Sequence, residues 1–128
     1  MRVALDTNRY TDFARAEPHT VNILQRAEQI FVPLIVLAEL RAGFACGSRA
    51  IENERTLVRF INLPGVQILY PDDNTTHHYA RLFLYLRQQA TPIPTNDIWI
   101  AALVIQHDLI LFARDKHFAH LPQIPLMA

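Results

Sequence analysis

The constraint that most limits this chain is a repeated alternation. Short apolar runs of β character are separated by segments whose apolar residues recur at helical spacing. Arg2–Leu5, Ile30–Val32, Val66–Tyr70, Leu109–Phe112 and Gln123–Leu126 are the runs. They are apolar nearly throughout instead of at every second position, so they read as strands covered on both faces, which is the signature of a parallel sheet. Strands alternating with helices place those helices on the two sides of the sheet. The expectation is a three-layer α/β/α fold with a mainly parallel central sheet of about five short strands. Its crossovers are right-handed, and ligands bind beyond the carboxyl ends of the strands.

The helical segments carry start and stop signals. Asp6-Thr7-Asn8 is turn and cap chemistry before a helix over Arg9–Ala16, with Asn8 the better-placed cap. Pro18 opens a second helix, with Val21, Ile23, Leu24 and Ala27 on its buried face. Pro33 reads as the first residue of a helix reaching Ala45, and Ser48 as the cap of the next, which buries Leu57, Val58 and Ile61. Asp72–Thr75 supplies caps for a helix over Thr76–Ala90, striped by Tyr79, Leu82, Phe83 and Leu86. Thr95 caps another reaching Gln106, and a helical turn falls near His117–His120. With no repeat, linker or low-complexity segment, residues 1–128 read as one domain.

Composition excludes several classes. One cysteine, Cys46, rules out an internal disulfide and with it a disulfide-stapled secreted module. The charge at Asp6 comes before a signal-peptide core could form. The longest apolar runs, Phe31–Ala38 and Ile98–Ile105, fall well short of the roughly 20 residues that span a bilayer. A soluble, cytosolic protein is expected. The formal net charge of zero argues against a simple basic nucleic-acid binder. Yet all the basic residues but Lys116 are arginine, whose fork matches phosphate. If several acids gather in one site, the remaining surface is left positive. The apolar half of the composition leaves surface for a partner.

Four acids stand in apolar surroundings. Asp6 ends the first strand, and Asp115 follows Leu109-Ile-Leu-Phe112 closely, which puts both at the carboxyl rim of the sheet. Glu39 interrupts Leu34-Ile-Val-Leu-Ala. Asp97 precedes Ile98–Ile105, a helix apolar on every face, and sits where the helix dipole favours negative charge. Buried carboxylates repel one another and require a compensating positive charge. No histidine or cysteine pair has zinc-like spacing, since His77 and His78 are adjacent on a helix. The natural partner is a hard divalent cation, Mg²⁺ or Mn²⁺, held chiefly by Asp6, Asp97 and Asp115. The chemistry such a site serves is phosphoryl transfer.

Around these acids stand supporting candidates. Thr7 and Thr95 have hydroxyls close enough in sequence to orient a carboxylate, with helix capping as the alternative. Asn8 and Asn96 flank acids. His117 either contacts a water or phosphate or is a surface residue. Arg114 and Lys116, and less securely Arg9 and Arg41, are candidates to grip a nucleic-acid backbone. Asp72, Asp73 and Asp108 read as turn and cap acids, and Trp99 as core.

Val3-Ala-Leu-Asp6-Thr7-Asn8, Val36-Leu-Ala-Glu39-Leu, Thr95-Asn96-Asp97-Ile-Trp-Ile-Ala-Ala and Ala113-Arg-Asp115-Lys-His-Phe118, in this order, resemble the PIN-domain ribonucleases. The resemblance is greatest to the VapC-type toxins of prokaryotic toxin–antitoxin pairs, and it runs from Val3 to about Pro125. It implies a Mg²⁺- or Mn²⁺-dependent endoribonuclease with Asp6, Glu39, Asp97 and Asp115 as its acids. It also implies a homodimer and a cognate antitoxin that covers the site. Two departures stand out. Ala113 replaces a frequent threonine, removing a hydroxyl that would orient Asp115. His117 takes a place that sometimes carries a further acid or asparagine, which predicts a metal pocket one ligand poorer. Two other readings compete. A catalytically silent PIN-like domain would bind RNA or protein without cutting. An aspartate-based phosphohydrolase would use Asp6 as nucleophile, but it normally has a second acid where Asn8 stands. RNA over DNA as substrate rests on the resemblance alone.

Overall fold

The computed structural model describes residues 1–128. In chain order the elements are β1 (Arg2–Leu5), α1 (Thr7–Ala14), α2 (Pro18–Arg26), β2 (Gln29–Pro33), α3 (Leu34–Cys46), α4 (Ala50–Ile61), β3 (Val66–Leu69), α5 (Asp73–Gln88), α6 (Thr95–Gln106), β4 (Ile110–Phe112), a 3₁₀ turn (Lys116–His120) and β5 (Leu126–Met127). The five strands form one sheet in the order β3-β2-β1-β4-β5, with every pairing parallel. Helices cover both faces, giving the α/β/α architecture expected from the strand pattern. No helix is long and apolar enough to cross a membrane.

The apolar runs account for the strand positions. Val3, Ala4 and Leu5 are wholly buried, as a central strand covered on both faces must be. β3, at the sheet's edge, buries only Leu69 fully. α6 packs along the middle of the molecule, and Ile98 and Ile100–Val104 are buried around its whole circumference. A helix without a polar face has no other stable position.

The sheet order creates the crevice in which the candidate site lies. From β1 the chain builds outward through β2 to β3, then crosses to the other flank of β1 to lay down β4. Strand succession therefore reverses between β1 and β4, and such a switch point opens a crevice at the carboxyl ends of the strands. Leu5 lies opposite Phe112, and the Asp6 N–H donates to the Phe112 carbonyl at 3.2 Å. Asp6 and the segment leading to Asp115 thus leave the sheet side by side.

Several local expectations are corrected. Pro33 closes β2 and stands before α3, which begins at Leu34. α1 begins at Thr7, so Asn8 lies inside its first turn and Asp6 occupies the cap position without using its side chain to cap. Thr95 is likewise the first residue of α6, with Pro94 in the cap position. Ser48 caps nothing, because α4 starts after Arg49. The final strand is Leu126–Met127, displaced from the Gln123–Leu126 expected. Asp72 does cap α5, in a capping box with Thr75. On α5 the buried apolar positions are Leu82 and Leu86, while Phe83 is exposed and stacks on Tyr79. On α4 Val58 is exposed and Phe60 takes its expected place in the core.

Candidate active site

Each of the four acids reaches the crevice from a different element. Asp6 follows β1, Glu39 projects from the middle of α3, Asp97 lies in the first turn of α6, and Asp115 precedes the 3₁₀ turn. Asp6 and Asp97 are buried; Glu39 and Asp115 are half-buried. Burial pushes the Asp6 carboxyl up from an ordinary 3.8 to about 6. Within that net shift the nearby Thr7 N–H works against burial, and the charges of Asp97, Glu39 and Asp115 work with it. Asp97 is raised as well, chiefly by burial. His117 opposes that rise, while Asp115 and Glu39 add to it. These mutual effects express a cluster of like charges in a low-dielectric crevice.

The donor set fits a divalent cation. One oxygen each of Asp97 and Asp115 and the His117 ring nitrogen lie within 4.8 Å of one another. Asp6 stands outside this tight group, though close enough to be coupled to Asp97 and Asp115. Three carboxylates with one imidazole at a buried rim match the chemistry of Mg²⁺ or a first-row divalent ion. No neighbouring lysine or arginine neutralises them: Arg114, next to Asp115 in sequence, is turned onto Asp12.

His117 is the residue that sequence reasoning undervalued. Its Nδ1 lies 2.8 Å from Asp97 Oδ2 and 3.1 Å from Asp115 Oδ1. Its backbone N–H donates to Asp115 Oδ1 at 3.0 Å. The His117 main-chain N–H thus holds Asp115, where Ala113 offers no hydroxyl, and its ring nitrogen stands among the carboxylate oxygens. The signal lay in the spacing: an aspartate at the cap of a turn accepts from the main-chain N–H two residues on, which fixes His117 beside Asp115.

Thr7 fulfils the orienting option, its hydroxyl donating to Glu39 Oε1 at 2.9 Å. Asn8, Thr95 and Asn96 are near the acids in sequence, but their side chains make no hydrogen bond with them. Asn96 instead lines a groove of about 480 Å³ beside Glu39, whose walls include Leu34, Ile35, Ala38 and Trp99. Trp99 is thus half-buried at the groove, its ring tilted 36° against Tyr79 at 4.6 Å, not a core residue proper.

The expected basic rim is largely spent on ion pairs. Arg9 is a correction: it is buried, with its guanidinium 4.5 Å over the Phe112 ring. Its Nη1 donates to Asp12 Oδ2 at 3.2 Å and to Thr20 Oγ1 at 3.3 Å. A surface contact to a nucleic acid is closed to it. Asp12 also accepts a two-pronged hydrogen bond from Arg114, at 2.9 and 3.2 Å. Asp12, absent from the sequence candidates, so links α1 to the segment carrying Asp115; the spacing of Arg9 and Asp12 on one helix face was its only sequence trace. Arg41 is held by Glu54 through two hydrogen bonds of 3.0 Å. Lys116 alone of the four is exposed and outside any ion pair.

Comparison with known proteins agrees with this architecture. The family model described as PIN domain matches residues 3–124. Ribonuclease VapC1 of Haemophilus influenzae (strain R2866) is 30% identical over 121 residues, covering 86% of this chain and 89% of the relative. Ribonuclease VapC5 of Mycobacterium tuberculosis is 27% identical over 94 residues, covering 73% and 70%. Among solved structures, VapBC2 from Rickettsia felis bound to a promoter DNA fragment superposes with a TM-score of 0.87 at 26% identity, covering 99% of this chain and 98% of that one. Matched by the family model over nearly its whole length, and by relatives carrying the VapC name over most of theirs, the chain belongs to the PIN-domain family, among its VapC-type members.

Proposed function

We propose that the chain is an endoribonuclease, the toxin of a toxin–antitoxin pair, that hydrolyses RNA phosphodiester bonds with a Mg²⁺ or Mn²⁺ ion held by its acidic crevice. The observation that carries this reading is the convergence of four carboxylates from four elements at the switch point of the sheet, with no lysine or arginine side chain paired to them. Its support from relatives is that matches covering 70% and 89% of their own chains are named ribonucleases.

In this reading Asp6, Asp97 and Asp115 hold the cation. When bound, a divalent ion supplies charge neutralisation and Lewis acidity to a scissile phosphodiester. Glu39, with Oε1 engaged by Thr7, keeps Oε2 free to accept a hydrogen bond from the attacking water and to draw off its proton. Lys116, exposed beside Asp115, meets an RNA phosphate. Arg41 and Arg114 contribute only by exchanging Glu54 and Asp12 for phosphate.

The partner reading follows the same surface. The groove beside Glu39 is lined mainly by apolar side chains, and we assign it to a segment of the antitoxin, covering the acids. The solved Rickettsia felis relative is a VapBC complex. Phe83 and Leu84, exposed on α5, support a homodimer. Such a pair operates in the cytosol.

The test is cleavage of structured RNA by protein freed of any partner, beside matching single-stranded DNA, with Mg²⁺ or Mn²⁺ and then with chelator. RNA cleavage that needs metal and disappears in Asp97→Asn is the expected result. Absence of RNA cleavage by the metal-loaded protein, with RNA binding retained in both forms, would establish the silent binding domain instead. A covalent aspartyl-phosphate at Asp6 would establish the phosphohydrolase.

A further inference from the structure

His117 has two carboxylate oxygens converging on a single ring nitrogen. Asp97 Oδ2 is 2.8 Å away and Asp115 Oδ1 is 3.1 Å away. One N–H can direct its hydrogen well at only one of two acceptors, so hydrogen bonding alone does not use this arrangement fully. A cation does. Donors bound at about 2.1 Å and at right angles to one another stand about 3.0 Å apart. The two nitrogen–oxygen separations here match that edge. The opposite ring nitrogen, Nε2, makes no hydrogen bond within the protein, and the side chain is 44% exposed. The ring can therefore keep its proton at Nε2 and present a lone pair at Nδ1. The main chain fixes the ring's approach, because the His117 N–H is anchored on the same Asp115 oxygen.

We infer that His117 Nδ1 is a direct ligand of the active-site cation, and that this nitrogen makes the site select a first-row transition ion, Mn²⁺ in the first instance, over Mg²⁺. The inference rests on the metal-dependent reading above and refines it. Mg²⁺ favours oxygen donors and gives up its waters reluctantly. Imidazole suits the transition ions, whose affinities rise along the series from Mn²⁺ onward. Replacing an oxygen donor by imidazole therefore raises the penalty for Mg²⁺ and lowers it for Mn²⁺. The carboxylates alone already favour Mn²⁺ modestly, so the diagnostic quantity is how far the preference depends on His117.

The experiment is calorimetric titration of the partner-free protein with MnCl₂ and with MgCl₂, for wild type, His117→Ala and His117→Asp, together with pulsed electron paramagnetic resonance of the Mn²⁺-loaded proteins. His117 is partly exposed on a 3₁₀ turn, so both variants should fold, which their circular dichroism and thermal midpoints verify. The Mn²⁺-over-Mg²⁺ affinity ratio should fall about tenfold or more in both variants. His117→Asp should retain Mg²⁺ binding through its new carboxylate. The wild-type Mn²⁺ spectrum should show the coupling of a directly bound ¹⁴N nucleus, lost in both variants. If wild type binds Mn²⁺ without nitrogen coupling, or if the ratio is unchanged in the variants, the ligand role is overturned while the metal-dependent reading stands. If wild type binds neither ion, both are overturned together.

Discussion

Asp6 is a carboxyl group held where its charge is costly. Its carboxyl is raised from 3.8 to about 6, so the folded protein binds more protons than the unfolded chain between those values. Stability from this group is full below pH 3.8 and is lost as the pH rises through 6. At neutral pH the cost in the metal-free protein is about 3 kcal/mol. Asp6→Asn should therefore stabilise the chelator-treated protein by about 2–3 kcal/mol at pH 7.5. The gain should vanish at pH 3.5, as read by urea denaturation at the two pH values. An equal gain at both would assign the effect to packing. Asp12 shows the opposite electrostatics. Arg114 first and Arg9 with it hold its carboxyl below the ordinary value. Its loss strands the buried Arg9 charge, so Asp12→Ala should cost about 3 kcal/mol in denaturant. A loss under 1 kcal/mol would show that Arg9 finds another partner. Residue by residue, the acids were legible because charge is out of place in an apolar run. Arg9 was misjudged because burial is invisible in a sequence position that reads as polar. His117 was undervalued because its contacts are made across the fold to Asp97.

At the scale of elements, three helices end on non-glycine residues in the left-handed region: Ala16 after α1, Ala90 after α5 and Asp108 after α6. In each case the chain reverses with a hydrogen bond reaching back across the last turn, as from the Thr91 N–H to the Leu86 carbonyl. An L-residue there costs about 1–2 kcal/mol. Ala90→Gly should accordingly raise stability by about 0.5–1 kcal/mol, after the greater entropy of glycine in the unfolded chain is deducted. Thermal unfolding decides this, and a fall in the midpoint would mean that the Ala90 methyl makes packing contacts worth more than the strain. Element boundaries were readable where a specific hydrogen bond sets them, as in the Asp72–Thr75 box. They were missed by one or two residues where proline or a strand end sets them, as at Pro33 and Pro94. A proline reads equally as first helical residue or as cap. Only the residues on either side, paired in the sheet or not, separate the two.

At the scale of the whole molecule, the exposed pair Phe83 and Leu84 lies off the face of α5 that buries Leu82 and Leu86. If a second copy covers it, Leu84→Glu should convert a dimer to a monomer in analytical ultracentrifugation while leaving the fold intact, since a charge cannot be buried there unpaired. A dimer unchanged by the substitution would place the interface on another face. The amino-acid sequence alone determined the class of architecture, the helix at its centre and which four acids stand out of place. These follow from local facts: the period of apolar residues, a helix with no polar side, and charges set in apolar runs. Tertiary structure alone decided the strand order, with β4 beside β1 and hence Asp115 beside Asp6. It also decided that the arginines of the expected basic rim are engaged by acids elsewhere, and that an imidazole joins the carboxylates. Each of these depends on groups distant in sequence, such as Arg114 and Asp12 or His117 and Asp97, whose meeting is set by the packing of the whole chain.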